Sequence, residues 1–309
     1  MHESIASTMG KREWAMLLAL SVLWGGSFFF VEVALEAIPP LTLVALLVFF
    51  AAAILWLYIL ISGRKIPISS SVWRAFTVMG ILNNVIPFTL IVWGQTTQIA
   101  SGIASILNAT TPLFTVVVAS MFLADERATL LKYTGVVTGL IGVIILIGPS
   151  ALSGLGIAVY AQLAVLVAAL SYAFAGVYGR RFNDMKIDPV VIAAGQVSAS
   201  ATLLMPVSMF VDDPLSLAIP SITVWASVFG LAALSTSLAY ILYFRLLSSS
   251  GATNLLLVTF LIPVTAIILG TGLLGESLRA THIIGMFIIG LGLSAIDGRM
   301  WQRRKGECG

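Results

Sequence analysis

Charge is scarce in this chain. Only 9% of its 309 residues are Asp, Glu, Lys or Arg, where a soluble domain carries about a quarter. Cysteine is scarcer still. A single Cys308 excludes a disulfide within the chain and a thiolate ligand set. Two histidines, His2 and His282, leave no His-based metal centre to expect. Lys and Arg are absent from the middle of every apolar run. That excludes a buried Schiff-base lysine of the retinal type and an Arg/Lys cluster for phosphate or nucleotide. No cofactor, metal or nucleic-acid partner is therefore expected; the expected partners are a small molecule and membrane lipid.

What the chain does have is hydrophobic residues, 59% of the total, gathered in long runs. Runs of about 20 residues cover the hydrocarbon core of a bilayer as helices. Barrel strands would alternate over about 10. Ten spans are read: 14–35, 41–62, 72–94, 101–123, 130–148, 156–179, 189–211, 221–243, 253–274 and 281–297. The fifth and tenth are short. The first follows Lys11 and Arg12 as a signal peptide would, but it is too long and lacks a small-residue cleavage site.

The second half repeats the first. Pro112, Leu123, Glu126, Gly135 and Gly142 reappear as Pro263, Leu273, Glu276, Gly285 and Gly292. The steps from Glu to Gly to Gly are nine and then seven residues in both copies. Leu and Gly coincidences are cheap in so apolar a chain, but it has only seven Glu. With the N-terminus placed inside, 15 of the 16 basic residues fall in inside segments and only Arg279 outside, as the positive-inside bias requires. Five spans per half then force the second half to run through the membrane upside down. The expected fold is all-α integral membrane: ten transmembrane helices as two inverted-topology five-helix repeats, residues 1–150 and 151–309, in the plasma (inner) membrane with both termini cytoplasmic. Such a duplication points first to a transporter, whose halves rock about a shared site.

Four prolines lie inside spans: Pro87, Pro112, Pro206 and Pro263. A helix proline frees the carbonyl four residues earlier, here Asn83, Asn108, Thr202 and Thr259, all polar. Broken helices are tolerated in membranes where they line a cavity or pack on protein. Asn83, Asn84 and Asn108, beside the helix breaks at Pro87 and Pro112, are thus candidates for cavity lining, with Pro263 the counterpart of Pro112. The competing reading is that these groups only patch the kinks. Trp24 and Tyr172 lie deep at roughly matching positions in the two halves, and their N–H and O–H need partners. Trp93 and Tyr243, near span ends, read as an aromatic belt. Tyr240, Gln196 and Ser235-Thr236-Ser237 complete the polar set, the hydroxyl run carrying little weight because hydroxyls bond their own helix.

Glu32 is the one acid within a span apart from Asp297 at an end. It is a candidate coupling residue, or else a wetted carboxylate near the outer surface. Glu126 and Glu276, beside Arg127 and Arg279, read as helix-terminal or interfacial charges. Gly135, Gly139 and Gly142, with Gly285, Gly290, Gly292 and Ser294, mark close helix contact, within the chain or across a dimer; monomer and homodimer both remain open.

Together these residues resemble the drug/metabolite transporter superfamily, specifically its EamA-like ten-helix exporters with two EamA repeats. The matching text is Trp24-Gly25-Gly26-Ser27, Pro39-Pro40, Pro112 with Leu123-Ala-Asp-Glu126-Arg127, and Gly135 to Gly142; then Pro263, Leu274-Gly-Glu276-Ser-Leu, and Gly285 to Gly292. The resemblance implies alternating access around a cavity built by spans 1–4 and 6–9, with spans 5 and 10 as scaffold. It implies export of metabolites, amino acids among them and the aromatic amino acid exporter type included. Carried over, it makes Trp24, Asn83, Asn84, Asn108, Tyr172, Gln196 and Tyr240 the expected substrate-binding residues. Two positions depart from the pattern: Glu32 stands where many members have a Lys, and Ala45-Leu-Leu47-Val-Phe where many have an Arg. An integral-membrane lipid enzyme is the competing class, but Asp184, Asp212 and Asp213 have no His partner. A passive channel is another, but no filter sequence is present.

Overall fold

The computed structural model describes residues 9–97, 99–123, 129–148, 156–255 and 257–297. Among these the regular structure is helical, and nine helices are long and apolar enough to cross a membrane: α1 Lys11–Leu35, α2 Pro40–Ile61, α3 Ser70–Thr96, α4 Ser101–Phe122, α5 Leu130–Ile147, α6 Ile157–Gly179, α7 Pro189–Val211, α8 Ile222–Ser250 and α10 Ala280–Asp297. The tenth, α9 Val258–Leu273, is apolar but shorter. The fifth and tenth are short as expected, at 18 residues each, and α9 is shorter still at 16.

Local chemistry sets the helix ends. Proline opens α2 and α7 at a position whose N–H would be unpaired anyway. Asp188 caps α7, its carboxylate accepting from Val190 N–H at 2.8 Å. Gly148, at φ 74°, closes α5 in a backbone conformation that a side chain would strain.

Three helices depart from a plain α-helical span. α3 widens to π geometry over Ile81–Val85, and α8 over Gly230–Leu238. α4 breaks between Asn108 and Thr111. The expected end of the eighth span at residue 243 is too early, because α8 stays helical to Leu255. Its polar tail does not need water: Ser248 and Ser250 donate to the carbonyls of Arg245 and Leu246, and Asn254 to that of Ser250.

The packing respects an exchange of α1–α5 with α6–α10. α5 lies along α10, and α2 along α7. The pair α1·α9 is matched by α6·α4, and α1·α8 by α6·α3. The two buried cores follow the same rule. One gathers around α2 and α7, the other around α1, α4, α6 and α9. Neither belongs to one half. The outer surface is apolar, with Ile144, Phe210 and Ile268 among the exposed side chains, as lipid solvent requires.

The glycine seam is internal. A side chain at Gly142 would come 2.8 Å from the Gly285 carbonyl oxygen, and one at Gly285 2.7 Å from that of Gly142. Gly135 and Gly292 stand in the same relation, at 2.7 and 2.5 Å. The repeated glycines of one half therefore meet those of the other.

Candidate functional site

Gly80 permits the closest approach of α3 to α7. A Cβ there would lie 2.6 Å from the Gln196 carbonyl oxygen. Ser200 on α7 bridges the contact, donating to the carbonyls of Gln196 at 2.8 Å and Gly80 at 3.2 Å. Just beyond, α3 changes register. In a π-helix each N–H reaches five residues back, so Pro87 frees the carbonyl of Leu82 rather than that of Asn83. The Ser171 hydroxyl of α6 donates to it at 2.7 Å. The expectation that Pro87 frees Asn83 assumed a plain α-helix and is corrected by one residue. At Pro112 the freed carbonyl is that of Asn108, and it accepts from the Thr111 hydroxyl at 2.7 Å. That break is patched within its own helix. Thr202 is exposed and bonds its own helix at Ser198.

With its backbone spoken for elsewhere, the Asn83-Asn84 pair turns its side chains to α7 and α8. Asn83 Nδ2 donates to Gln196 Oε1 and to the Tyr240 hydroxyl, both at 3.2 Å. Asn84 Nδ2 donates to the same hydroxyl at 3.3 Å. Asn84 and Gln196 are buried, Asn83 and Tyr240 half-buried. Four of the seven expected binding residues thus form one neutral cluster drawn from both halves. Tyr172 on α6 packs, as Trp24 and Tyr243 do, against the core around α1, α4, α6 and α9.

Trp24 and Asn108 stand apart from this hydrogen-bonded group. Trp24 packs against Tyr243, ring centroids 5.7 Å apart and planes at 44°. Tyr243 also meets Phe244 edge-on at 5.1 Å. Tyr243 is therefore not at the helix end that the belt reading assumed: α8 runs past it, and its half-buried ring packs on Trp24 and Phe244. Asn108 sits at the break in α4, its side-chain oxygen buried without a partner. Pro87 and Pro263 are buried, Pro87 at the start of the α-helix that follows the π segment and Pro263 within α9.

Glu32 lies half-buried near the end of α1 and accepts from Gln95 Nε2 at 3.2 Å. The same Nε2 donates to the Phe28 carbonyl at 3.0 Å. Gln95 is 2% exposed and escapes a sequence reading that ends the third span at 94. The signal was the amide itself, one residue past that boundary. Glu276 caps α4: its carboxylate accepts from Ser101 N–H at 2.6 Å and Gly102 N–H at 3.2 Å. Its repeat partner Glu126 lies outside the described residues.

The EamA-like transporter family matches this chain twice, over residues 12–148 and 159–296. Similar proteins include the uncharacterized inner membrane transporter YedA of Escherichia coli K12, 29% identical over 275 residues that cover 88% of this chain and 86% of YedA. A probable amino-acid metabolite efflux pump of Salmonella typhimurium is 26% identical over 92% of this chain and 94% of its own. A crystal structure sharing 20% identity superposes with a TM-score of 0.68, covering 94% of this chain and 99% of the other, which shows the common fold. A doubled family match, ten apolar helices packed as exchanged halves, and a polar cluster buried between those halves make this chain a multi-pass membrane transporter of the EamA-like family, within the drug/metabolite transporter superfamily.

Proposed function

We propose that this transporter exports small neutral or zwitterionic metabolites, amino acids first and aromatic and hydrophobic ones included, by alternating access about the α3–α7–α8 cluster. One observation carries the reading: Asn83, Asn84, Gln196 and Tyr240 form an uncharged hydrogen-bonding group, buried between two exchanged halves. Amides and a phenol suit the polar ends of a compact cargo, and the Trp24–Tyr243 pair offers an aromatic wall to its apolar part. The cluster lacks a basic group for a free anion. The name of the Salmonella relative agrees with amino acids as cargo. Trp24, Asn108 and Tyr172 complete the proposed cavity.

Proteoliposome counterflow over the amino acids tests this directly. Saturable exchange of at least one amino acid, slowed by Tyr240→Phe, is expected; absence of exchange for all of them would sink the cargo assignment. Flux that never saturates and shows no counterflow would mean a channel. The orientation with both termini inside has its own test, because Cys308 is the chain's one thiol. A membrane-impermeant maleimide should label it in inside-out vesicles and not in intact cells.

A coupled mode is the second reading, favoured by Glu32, a half-buried carboxylate bonded to a buried amide. Under proton antiport, Glu32→Gln abolishes the response of flux to a pH gradient. A variant that keeps the wild-type response removes Glu32 from the coupling.

A further inference from the structure

One dipeptide stands at the same place in both repeats and has a different backbone in each. Ser101-Gly102 lies 11 residues before Pro112, and Ser250-Gly251 lies 13 before Pro263. In the first repeat α3 ends at Thr96 and a new helix starts at Ser101. In the second there is no break: α8 runs through Ser250-Gly251 to Leu255 as one helix. Glycine weakens a helix interior without forbidding it, so the surroundings decide between the two.

At Ser101 the surroundings are built for the break. Gly275, at φ 68°, turns the chain at the end of α9. Past that turn the Glu276 N–H bonds back to the Gly270 carbonyl at 3.0 Å. The Glu276 carboxylate accepts from the Ser101 and Gly102 N–H groups at 2.6 and 3.2 Å, two of the donors that a helix start leaves unpaired. Gly270 makes room for it, since a side chain there would run into the carboxylate. Gly102 lies close on α9: a Cβ there would be 3.1 Å from Ile267 Cγ1 and 3.6 Å from Ile267 Cα. Held in this way, every residue from Ser101 to Leu107 is buried, among α1, α6 and α9. The break between Asn108 and Thr111 sets this plug off from the rest of α4. The first repeat has the acid, Glu126, but neither glycine: Asp125 stands for Gly275, and Ala119 or Ser120 for Gly270.

We propose that Ser101-Gly102 is a two-position hinge and Glu276 its latch. With the carboxylate on both N–H groups, segment 101–108 is detached from α3 and closes this end of the bundle. When the carboxylate lets go, the segment continues α3, as its repeat counterpart continues α8. This end then opens and the opposite end closes. The inference rests on the alternating-access reading and not on which cargo is carried.

Distances between spin labels test it on the full chain in lipid nanodiscs, without cargo. In a Cys308→Ser background, one cysteine pair replaces Thr96 and Gly272 at the latched end. A second replaces Met121 and Ser248 at the opposite end; all four positions are exposed. Glu276→Gln keeps the size of the latch but sets an N–H against one of the two helix N–H groups. It should raise the ratio of long to short distances at the first pair on the order of tenfold, and shorten the second pair to match. Gly102→Ala favours the continued helix over the close approach to Ile267 and should act in the same direction, several-fold. It carries the test should Glu276→Gln not fold. Unchanged distances at both pairs in both variants overturn the latch. So does a longer first pair with the second unmoved, which is fraying of a helix start and not a hinge. Fixed distances beside saturable counterflow overturn the latch and leave the transport reading standing.

Discussion

The α5–α10 seam and the α3–α7–α8 cluster are both contacts between the halves, yet they use the repeat in opposite ways. At the seam, the repeated glycines meet one another and each contact has an equivalent, Gly142 with Gly285 and Gly135 with Gly292. In the cluster, equivalent helices carry different chemistry. α3 reaches its π segment with Asn83-Asn84 and Pro87, whereas α8 reaches its own with Ser235-Thr236-Ser237 and no proline. The hydroxyls of that run serve backbone: Ser235 donates to the Leu23 carbonyl at 2.7 Å and Ser237 to that of Ala232 at 2.8 Å. Duplication preserved the geometry that lets helices touch and shift register. It left the side chains at the centre free to diverge, since the π backbone can be accommodated by more than one set of partners.

Crowding the seam should break this comparison most sharply. Gly142→Val and its repeat counterpart Gly292→Val each force a side chain into a facing backbone, an overpacking cost of about 1–3 kcal/mol or more. The two should lower the unfolding midpoint equally, because the exchange makes them equivalent. Gly290→Val, with open space around it, should leave the midpoint where it was. Unequal losses at 142 and 292 would mean that the seam does not carry the symmetry.

Next in size is Tyr240→Phe. It strands the amide N–H groups of Asn83 and Asn84, about 1–3 kcal/mol for groups left unsatisfied. Counterflow rate should drop roughly tenfold or more, with less effect on the midpoint than crowding the seam. A midpoint loss as large as at Gly142, with transport per folded molecule unchanged, would make the cluster scaffold.

Ser171→Ala is smaller. The Leu82 carbonyl loses its donor at about 1 kcal/mol, and double-mutant cycles against Asn84→Leu, read as midpoints, should show coupling between the π segment and the amides it presents. Smallest of all is Asp188→Asn. It ends the half-exposed ion pair with Arg64, worth about 0–1 kcal/mol, but keeps a good N-cap. Asp188→Ala adds loss of the cap, about 1 kcal/mol, so thermal midpoints should separate the two roles.

Much of this was legible in the chain. The apolar runs, the placement of basic residues and the Glu-Gly-Gly spacing suffice for ten helices in two copies, because each signal repeats over many residues. Asn83, Asn84, Gln196 and Tyr240 stand out as polar groups deep in apolar text, and the structure brings those four together. What escaped were matters of partner and register. Gln95 fell just past a span end drawn one residue early. Tyr243 looked peripheral because the eighth span was ended there, which left Ser248 and Ser250 between spans, although a helix can satisfy such side chains internally. The π register that redirects the freed carbonyl from Asn83 to Leu82 has no marker in the text, since Pro87 is compatible with either.

The sequence by itself determined the solvent, the number of helices and the doubling of the chain, for hydropathy and spacing are properties of residues in order. Only the tertiary structure decided that the glycine faces close on each other within one chain. The same holds for the amides converging on one phenol, for Gln95 reaching Glu32 and for Glu276 reaching the start of α4. These are contacts between residues more than a hundred positions apart or on separate helices, and helix rotation and register, on which every such contact depends, are set by packing.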